Sequence, residues 1–182
     1  MLRGTVDADR ISARPGNDLV YARGGGDEIR AGAGNDGVRS GDGFDLAYGG
    51  HGHDLVAGGD GNDRLYGGSD SDQVNGGSGS DRATGNKGAD DVRGGDGNDR
   101  LFGGWGADRV YGGTGDDELH SLAADGDVDL LQCGPGSDKA WVLRAERLRT
   151  QIVSCEIVYV VDVVTPEQNE GENAHADTKA DE

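Results

Sequence analysis

Apolar positions recur along this chain with a nine-residue period from Gly4 to His120. Thirteen consecutive nonapeptides fit one register without insertion or deletion, and only their eighth slot is apolar throughout. That slot is occupied by Ile11, Val20, Ile29, Val38, Ala47, Val56, Leu65, Val74, Ala83, Val92, Leu101, Val110 and Leu119. Because side chains alternate across a strand, a three-residue strand centred on slot eight turns only that side chain inward. Each unit therefore predicts six turn residues followed by a short strand.

A strand of this length cannot bury a core by itself, so the units must stack. Two units per coil give parallel strands on each side of a solenoid, and residues eighteen apart become neighbours. The composition agrees with a thin core, since 36 residues are Gly, 33% are hydrophobic and only 5% are aromatic. The sequence therefore predicts an all-β fold, a parallel solenoid of nonapeptide repeats.

The sixth slot of every unit is aspartate. Stacking at about 4.8 Å per strand sets these carboxylates in columns, where neighbours repel by about 1 to 3 kcal/mol. Positive charge must therefore lie between them. From the second unit onwards these candidate metal ligands are Asp18, Asp27, Asp36, Asp45, Asp54, Asp63, Asp72, Asp81, Asp90, Asp99, Asp108 and Asp117.

Carboxylates and turn carbonyls make an all-oxygen site, which suits calcium with its six to eight flexible oxygen ligands. Magnesium demands a stricter octahedron, and zinc prefers Cys or His at tetrahedral spacing. The glycines allow positive φ, so that consecutive carbonyls can turn toward one ion. The formal net charge of −18 argues against nucleic acid and acidic membranes as partners and favours cations.

Five units carry the clearest signature, namely "GGDGNDRLY" (58–66), "GGSGSDRAT" (76–84), "GGDGNDRLF" (94–102), "GGWGADRVY" (103–111) and "GGTGDDELH" (112–120). This pattern resembles the bacterial RTX, or hemolysin-type, calcium-binding repeat proteins. The resemblance implies a right-handed parallel β-roll with several calcium ions between turns of units two apart. Its implied ligands are Asp63, Asp81, Asp99 and Asp117 on one flank and Asp54, Asp72, Asp90 and Asp108 on the other.

Some units depart from this pattern. The first three lack paired glycines, so we expect weaker calcium binding near Asp9 and Asp18 and a weak N-terminal cap. Asp70 stands where slot four requires glycine, and Lys87 enters a turn, so both turns are expected to bind calcium more loosely.

The composition changes after the repeats. The insertion "SLA" interrupts the register, and two further units, 124–132 and 133–141, restore it. From Val142 the chain is apolar, β-branched and nearly free of Gly, and its last residues are acidic without periodicity. We therefore predict a β-roll over 4–141, a C-terminal β cap over 142–165 that covers the open end of the roll, and a disordered acidic tail over 166–182.

Cys133 and Cys155 are the only cysteines, one in the last unit and one in the predicted cap. A disulfide between them predicts an oxidising, extracellular location; two separately buried thiols are the alternative. The arrangement also resembles the C-terminal caps of some secreted members of this repeat family.

Other motifs carry weaker signals. "GAGNDG" (32–37) fits the dinucleotide-binding pattern G-x-G-x-x-G but lies in repeats rather than at a strand-to-helix turn. "DGDVDL" (125–130) begins like an EF-hand loop but lacks its glycine and closing glutamate. "HGHD" (51–54) could suggest a zinc site but places its histidines in variable slots. The rings in slot nine should face outward, either in ordinary cross-strand packing or as a stripe for a glycan or protein. They are Tyr21, Tyr48, Tyr66, Phe102 and Tyr111.

The leading functional hypothesis is a secreted, non-enzymatic calcium-binding module, structural or adhesive, whose folding is coupled to calcium. The alternative is the repeat region of a larger secreted enzyme or toxin, of the protease, lipase or epimerase class, whose catalytic part is absent here. No stretch has the roughly 18 consecutive apolar residues of a membrane span. The identity of a protein or glycan partner stays open.

Overall fold

The structure is a computed structural model that describes residues 1–162, and every regular element in that range is a β-strand. The tail predicted over 166–182 lies outside the described residues, as do residues 163–165 of the predicted cap. Across the described part of the chain, no helix is long and apolar enough to cross a membrane.

Within residues 1–162, eighteen strands form two nine-stranded parallel sheets, and the chain visits the two sheets in strict alternation. We call them the odd sheet and the even sheet after the strand numbers. The odd sheet contains β1 (Leu2–Arg3), β3 (Leu19–Gly24), β5 (Gly37–Asp42), β7 (Leu55–Asp60), β9 (Gln73–Ser78), β11 (Asp91–Asp96), β13 (Arg109–Thr114), β15 (Leu130–Gln132) and β17 (Gln151–Val153). The even sheet contains β2 (Arg10–Ser12), β4 (Glu28–Ala33), β6 (Leu46–His51), β8 (Arg64–Ser69), β10 (Arg82–Lys87), β12 (Arg100–Trp105), β14 (Glu118–Ser121), β16 (Lys139–Leu143) and β18 (Ile157–Val161).

The register of both sheets follows the repeat. Val56 pairs with Val74, eighteen residues further on, and Leu65 pairs in the same way with Ala83. The chain is therefore an all-β parallel solenoid, consistent with a parallel β-roll, as the sequence predicted. Slot-eight side chains from both sheets meet in one core cluster, and those between Val20 and Leu119 are at most 1% exposed.

The strands are longer than the sequence predicted. Most contain six residues instead of three, because pairing continues from slot seven through slot three of the following unit. In β7, for example, Val56 is buried and Gly59 pairs with Gly77. Slot one also faces inward, since Ala22, Ala31 and Ser40 are fully buried. The expectation that only slot eight turns inward was therefore wrong, because each unit contributes a second buried position two residues after the first.

Parallel pairing continues past the repeats. Ala140 of β16 pairs with Val158 of β18, and Leu131 of β15 pairs with Ile152 of β17. The boundary predicted between residues 141 and 142 lies within β16. The two C-terminal strands thus extend both sheets by one coil, and β18 forms one edge of the even sheet.

Candidate metal centres

Each turn between the sheets from β1 to β16 carries one slot-six aspartate. The turns that enter the even sheet hold the first aspartate column, which comprises Asp9, Asp27, Asp45, Asp63, Asp81, Asp99, Asp117 and Asp138. The turns that enter the odd sheet hold the second aspartate column, which comprises Asp18, Asp36, Asp54, Asp72, Asp90, Asp108 and Asp129. The structure thus brings all twelve predicted site residues into two columns.

Within each column one carboxylate oxygen is used by the backbone. The amide of Asp63 donates to Oδ1 of Asp81 at 2.7 Å, and the amide of Asp72 donates to Oδ1 of Asp90 at 2.8 Å. The same bond links every successive pair, and it fixes the orientation of each carboxylate toward the preceding coil. These bonds require stacked coils, so the orientation is a product of the tertiary fold.

The second carboxylate oxygen has no hydrogen-bond partner in most of these aspartates. Between Asp27 and Asp117 every slot-six residue is at most 4% exposed, so this oxygen is buried as well as unpartnered. A buried carboxylate oxygen without a partner loses its hydration with no compensation. The atoms concerned are Oδ2 of Asp27, Asp36, Asp45, Asp54, Asp63, Asp72, Asp81, Asp90, Asp99, Asp108, Asp117 and Asp138.

Glycine in slot one leaves room for these oxygens. A Cβ added to Gly67 would lie 2.6 Å from Oδ2 of Asp72 and 2.8 Å from the carbonyl oxygen of Gly85. At Gly49 the corresponding distances are 2.5 Å to Asp54 Oδ2 and 2.6 Å to Gly67 O. A carboxylate oxygen of one coil therefore converges with a carbonyl oxygen of the next coil, in a space that any larger residue would fill.

The turn backbone needs glycine at two further slots. In the unit 58–66, Gly59 and Gly61 have φ of 125° and 139°, and the same two slots have positive φ in most repeats. Asn86 in slot two and Asp70 in slot four adopt φ of 76° and 73° without being glycine. Because such values are strained for other L-residues, the glycine spacing is a requirement of the turn.

Burial and crowding raise the pKa of the columns. Burial is the largest cause, and the neighbouring carboxylates of the same column add to it in most cases. The pKa rises to about 8 for Asp72 and about 9 for Asp108. It rises to about 7 for Asp54, Asp63, Asp90 and Asp99 and to about 6 for Asp117. Without a counter-ion, these columns resist full ionisation at neutral pH.

The donor set fits a hard divalent cation. Within residues 1–162 no group of three or more His, Cys, Asp or Glu side chains is arranged to hold a metal by itself. An ion between coils would therefore draw on backbone carbonyls together with the free Oδ2 atoms. Such an all-oxygen set is typical of calcium. The histidines of "HGHD" form no such group either, and His53 Nδ1 lies 2.9 Å from Ser71 O.

At three of the four column ends, other groups of the protein contact the aspartate. At the N-terminal end, Oδ2 of Asp9 accepts from the backbone amide and the hydroxyl of Thr5, at 2.6 and 3.0 Å. At the C-terminal end of the second column, the Ser121 hydroxyl donates to Oδ2 of Asp129 at 2.5 Å. Asp18 is partly exposed and lies 4.0 Å from the Met1 amino group. These contacts fill the role that a cation would have elsewhere.

Sequence reasoning missed the acidic residue that continues the first column. The amide of Asp138 donates to Oε2 of Glu156 at 2.7 Å, so Glu156 takes the place of a slot-six aspartate. The signal was present, because Glu156 precedes Val158 by the same two residues that separate slots six and eight. Only the shortened turn at Ser154 and Cys155 concealed it.

A disulfide closes the final turn. It joins Cys133, which is fully buried, to Cys155, with the two Cα atoms 5.1 Å apart. Cys133 directly follows β15 and Cys155 follows β17, so the bond links neighbouring coils on the side of the first column.

Rings on the outer face of the even sheet stack in register. Tyr48 and Tyr66 lie 4.8 Å apart, as their spacing predicted. A second stack that the sequence did not predict runs from Phe102 through His120 and Trp141 to Tyr159, with ring centroids 4.4, 4.7 and 4.9 Å apart. Phe102 is fully buried although its slot lies outside the core cluster. Burial, followed by the charges of Arg100 and Arg82, lowers the pKa of His120 to about 3.

The model of the RTX calcium-binding nonapeptide repeat, HemolysinCabind, matches this chain in four copies, over residues 3–38, 38–65, 48–83 and 84–119. Together these matches span well over half of the sequence, and they cover the units that carry the column aspartates from Asp9 to Asp117. A search among curated proteins gave no significant match.

Proposed function

Because the chain belongs to the RTX calcium-binding nonapeptide repeat family, we propose that its two aspartate columns bind calcium ions between successive coils. The observation that carries this proposal is the buried Oδ2 atom without a partner, such as that of Asp72 beside the carbonyl of Gly85. The proposed ligands are the slot-six aspartates from Asp18 to Asp117, with the carbonyls of their turns. Asp18 is the weakest member, since it is partly exposed.

The chain contributes three things to binding. In the stacked roll the slot-six amides hold one oxygen of each carboxylate, which orients the other toward the ion. The glycines of slots one, two and four keep side chains out of the turn and permit its positive φ. The core strands set the coil spacing. Bound calcium would supply the positive charge that lets neighbouring carboxylates ionise together.

Binding and folding are coupled in this proposal. The unfolded chain has no preformed site, carries a net charge of −18 and contains few large apolar residues. Calcium therefore stabilises the β-roll by binding only the folded form. The roll is proposed to extend over 4–141 and to be closed by a cap over 142–165, with residues 166–182 as an acidic tail.

We assign this module a structural or adhesive role outside the cell, without enzymatic activity of its own. The disulfide between Cys133 and Cys155 supports an oxidising location. The same calcium binding would serve the alternative, in which the repeats belong to a larger secreted enzyme or toxin.

A calcium titration followed by circular dichroism and calorimetry tests the proposal, with magnesium as the control. We expect β-sheet signal to increase with calcium in proportion to the heat of binding, and magnesium to produce little change. Full β-sheet signal in excess chelator would contradict the coupling of folding to calcium. Normal folding with no heat of calcium binding would contradict the proposed calcium sites.

A further inference from the structure

Three exposed arginines lie in the turn between β16 and β17. Arg144, Arg147 and Arg149 all belong to the turn over residues 144–149, which we call the arginine segment. Leu148 in the same turn is 98% exposed, more than any other large apolar side chain in the described range. This turn therefore lies at the protein surface, with its arginine side chains in solvent.

The fold treats the other cationic residues differently. Within residues 1–162 every other arginine or lysine lies in a β-strand except Arg14, which precedes Pro15, whose ring restricts the backbone on both sides of the bond. Those in strands are Arg3, Arg10, Arg23, Arg30, Arg39, Arg64, Arg82, Lys87, Arg93, Arg100, Arg109 and Lys139. A residue paired in a sheet cannot enter a protease active site until its coil opens, whereas exposed turns are the usual sites of proteolysis. The arginine segment is thus the stretch of the described chain best suited to cleavage after arginine.

The backbone of the arginine segment is held by few hydrogen bonds. The amides of Arg149 and Thr150 both donate to the carbonyl oxygen of Glu146, at 2.8 and 2.9 Å. In the described part of the chain, the amides of Arg147 and Leu148 donate no backbone hydrogen bond. Opening this turn therefore breaks a few local bonds, whereas opening an inner strand disrupts its pairing with two neighbours.

Side-chain contacts hold the two ends of the segment more firmly than its middle. The Arg144 side chain pairs with Asp162, and Nη1 of Arg149 donates to the carbonyl oxygen of Gly126 at 2.7 Å. Arg147 lies between these two contacts. We therefore expect the peptide bond after Arg147 to be cleaved first.

The disulfide spans the arginine segment. Cys133 precedes the segment and Cys155 follows it, so the bond joins the two pieces that a cut would produce. Beyond the cut, β17 pairs with β15 and β18 pairs with β16. Cleavage in the segment would therefore divide the chain without separating its pieces.

We propose that the arginine segment is a processing site for an arginine-specific endoprotease, and that the disulfide keeps the product together as a two-chain roll. Cleavage after Arg147 adds one water across the peptide bond, with the hydroxyl on the arginine carbonyl carbon and the hydrogen on the nitrogen of Leu148. No other reactant is needed. The proposal goes beyond calcium binding, because it concerns the folded roll whichever ion stabilises it.

Processing makes the last coil removable. After the cut, one disulfide is the only covalent link between β17 and β18 and the rest of the roll. Leu131 and Ala140, which are fully buried, pair with Ile152 and Val158 of these two strands. Reduction of the cut form would thus release the terminal coil and uncover the core at this end of the roll, whereas either event alone would not.

Limited digestion of the full wild-type chain in calcium tests this proposal, with trypsin as the probe and circular dichroism to establish the fold. Mass spectrometry with and without reduction locates the cuts, and cleavage after Lys179, outside the described residues, is counted separately. We expect the first cut in the arginine segment, about 100 times faster than after any arginine or lysine in a strand. Before reduction the mass should increase by one water; after reduction two pieces should separate on gel filtration.

Three results would overturn the proposal. The first is a cut within a strand before the arginine segment is cleaved. The second is separation of the two pieces before reduction, which would show that the disulfide does not retain them. The third is a C-terminal piece that stays on the roll after reduction, which would refute release of the last coil.

Variants link the cut to the segment. In Arg144→Gln, Arg147→Gln and Arg149→Gln the two-chain product should form about 100 times more slowly. The control variant, Arg39→Gln, Arg93→Gln and Arg109→Gln, removes the same charge from the odd sheet and should be cleaved at the wild-type rate. Equal rates in these two variants would contradict the assignment.

A single substitution covers the case in which the triple variant of the segment does not fold. Arg147→Gln keeps the contacts of Arg144 and Arg149, and it should slow the first cut about three- to tenfold. An unchanged rate would contradict the preference for the middle of the segment. The digestion is repeated in excess chelator: if the chain folds without calcium, the first cut should stay in the arginine segment, so failure of the calcium sites is distinguished from failure of this proposal.

Discussion

The backbone amide of Asp54 donates a hydrogen bond to Oδ1 of Asp72, one coil further along, at 2.8 Å. The bond leaves Oδ2 of Asp72 buried, without a partner and beside a glycine carbonyl of the following coil. This hydrogen bond is repeated along both columns and orients the proposed calcium ligands. Because it leaves the second oxygen buried without a partner, the metal-free roll is destabilised.

Removing one charge from a column should weaken calcium binding and stabilise the metal-free chain. Asp72→Asn keeps an acceptor for the amide of Asp54 but relieves repulsion in the column by about 1 to 3 kcal/mol. Asp60→Asn is the matched control, since Asp60 is exposed in slot three. Calorimetry should show a weaker or missing site only for Asp72→Asn. Equal losses of affinity in the two variants would refute a specific role for the column.

The stability of the metal-free chain should decrease as pH rises. A carboxyl whose pKa is raised on folding contributes stability that is fully present below its unfolded value, 3.8, and is lost as pH rises through the folded value. For Asp72 and Asp108 the loss extends to about pH 8 and 9. In excess chelator the β-sheet signal in circular dichroism should be strongest at pH 4 and successively weaker at pH 6 and 8. Excess calcium should reverse the trend, because the ion competes with protons for the same oxygens.

Adding one methyl group in slot one should disrupt a turn. In Gly67→Ala the new Cβ would lie 2.6 Å from Oδ2 of Asp72, and we expect a loss of about 1 to 3 kcal/mol in calcium. Gly24→Ala is the control, because its nearest atom would be at 3.8 Å. Thermal unfolding in saturating calcium measures both. A similar small loss in both variants would show that slot one has more room than its geometry indicates.

Replacing the strained residue in slot four should increase the stability of the protein. Asp70 has φ of 73°, and it also raises the pKa of Asp54 and Asp72 through its charge. We expect Asp70→Gly to raise stability in calcium by about 1 kcal/mol, through relief of strain and of repulsion. Asp70→Asn removes the charge and keeps a residue that tolerates positive φ, so it isolates the second effect. Thermal midpoints that fall in Asp70→Gly would contradict the strain argument.

The disulfide should stabilise the C-terminal end without controlling calcium binding. Replacing both partners, Cys133→Ala and Cys155→Ala, opens a link across 22 residues and should cost about 3 kcal/mol. The number of calcium ions measured by calorimetry should not change, because neither side chain lies in an aspartate column and Cys133→Ala keeps the backbone carbonyl that lies beside Oδ2 of Asp117. A proportionate loss of calcium sites would show that the last coil supports the columns more widely than the contacts indicate.

The sequence by itself predicted the repeat, the pairing of residues eighteen apart, the core positions in slot eight and the two aspartate columns, but not the second buried position in slot one. These features are local and periodic, so a stack of equal units reproduces them in every coil. The glycines of slots two and four were also explained in advance, because positive φ is a property of single residues. The predicted strand length of three residues was wrong, because pairing in slots two and three depends on the neighbouring coils.

The tertiary structure alone decided how each oxygen is used and where the columns end. The pairing of Ser121 with Asp129, and of Asp138 with Glu156, crosses an insertion or a shortened turn, where the period no longer indicates which residues meet. The stack that joins Phe102 to His120 likewise appears only once the coils are in contact. Periodicity determines which positions repeat, whereas satisfaction of a buried polar atom depends on all the atoms around it.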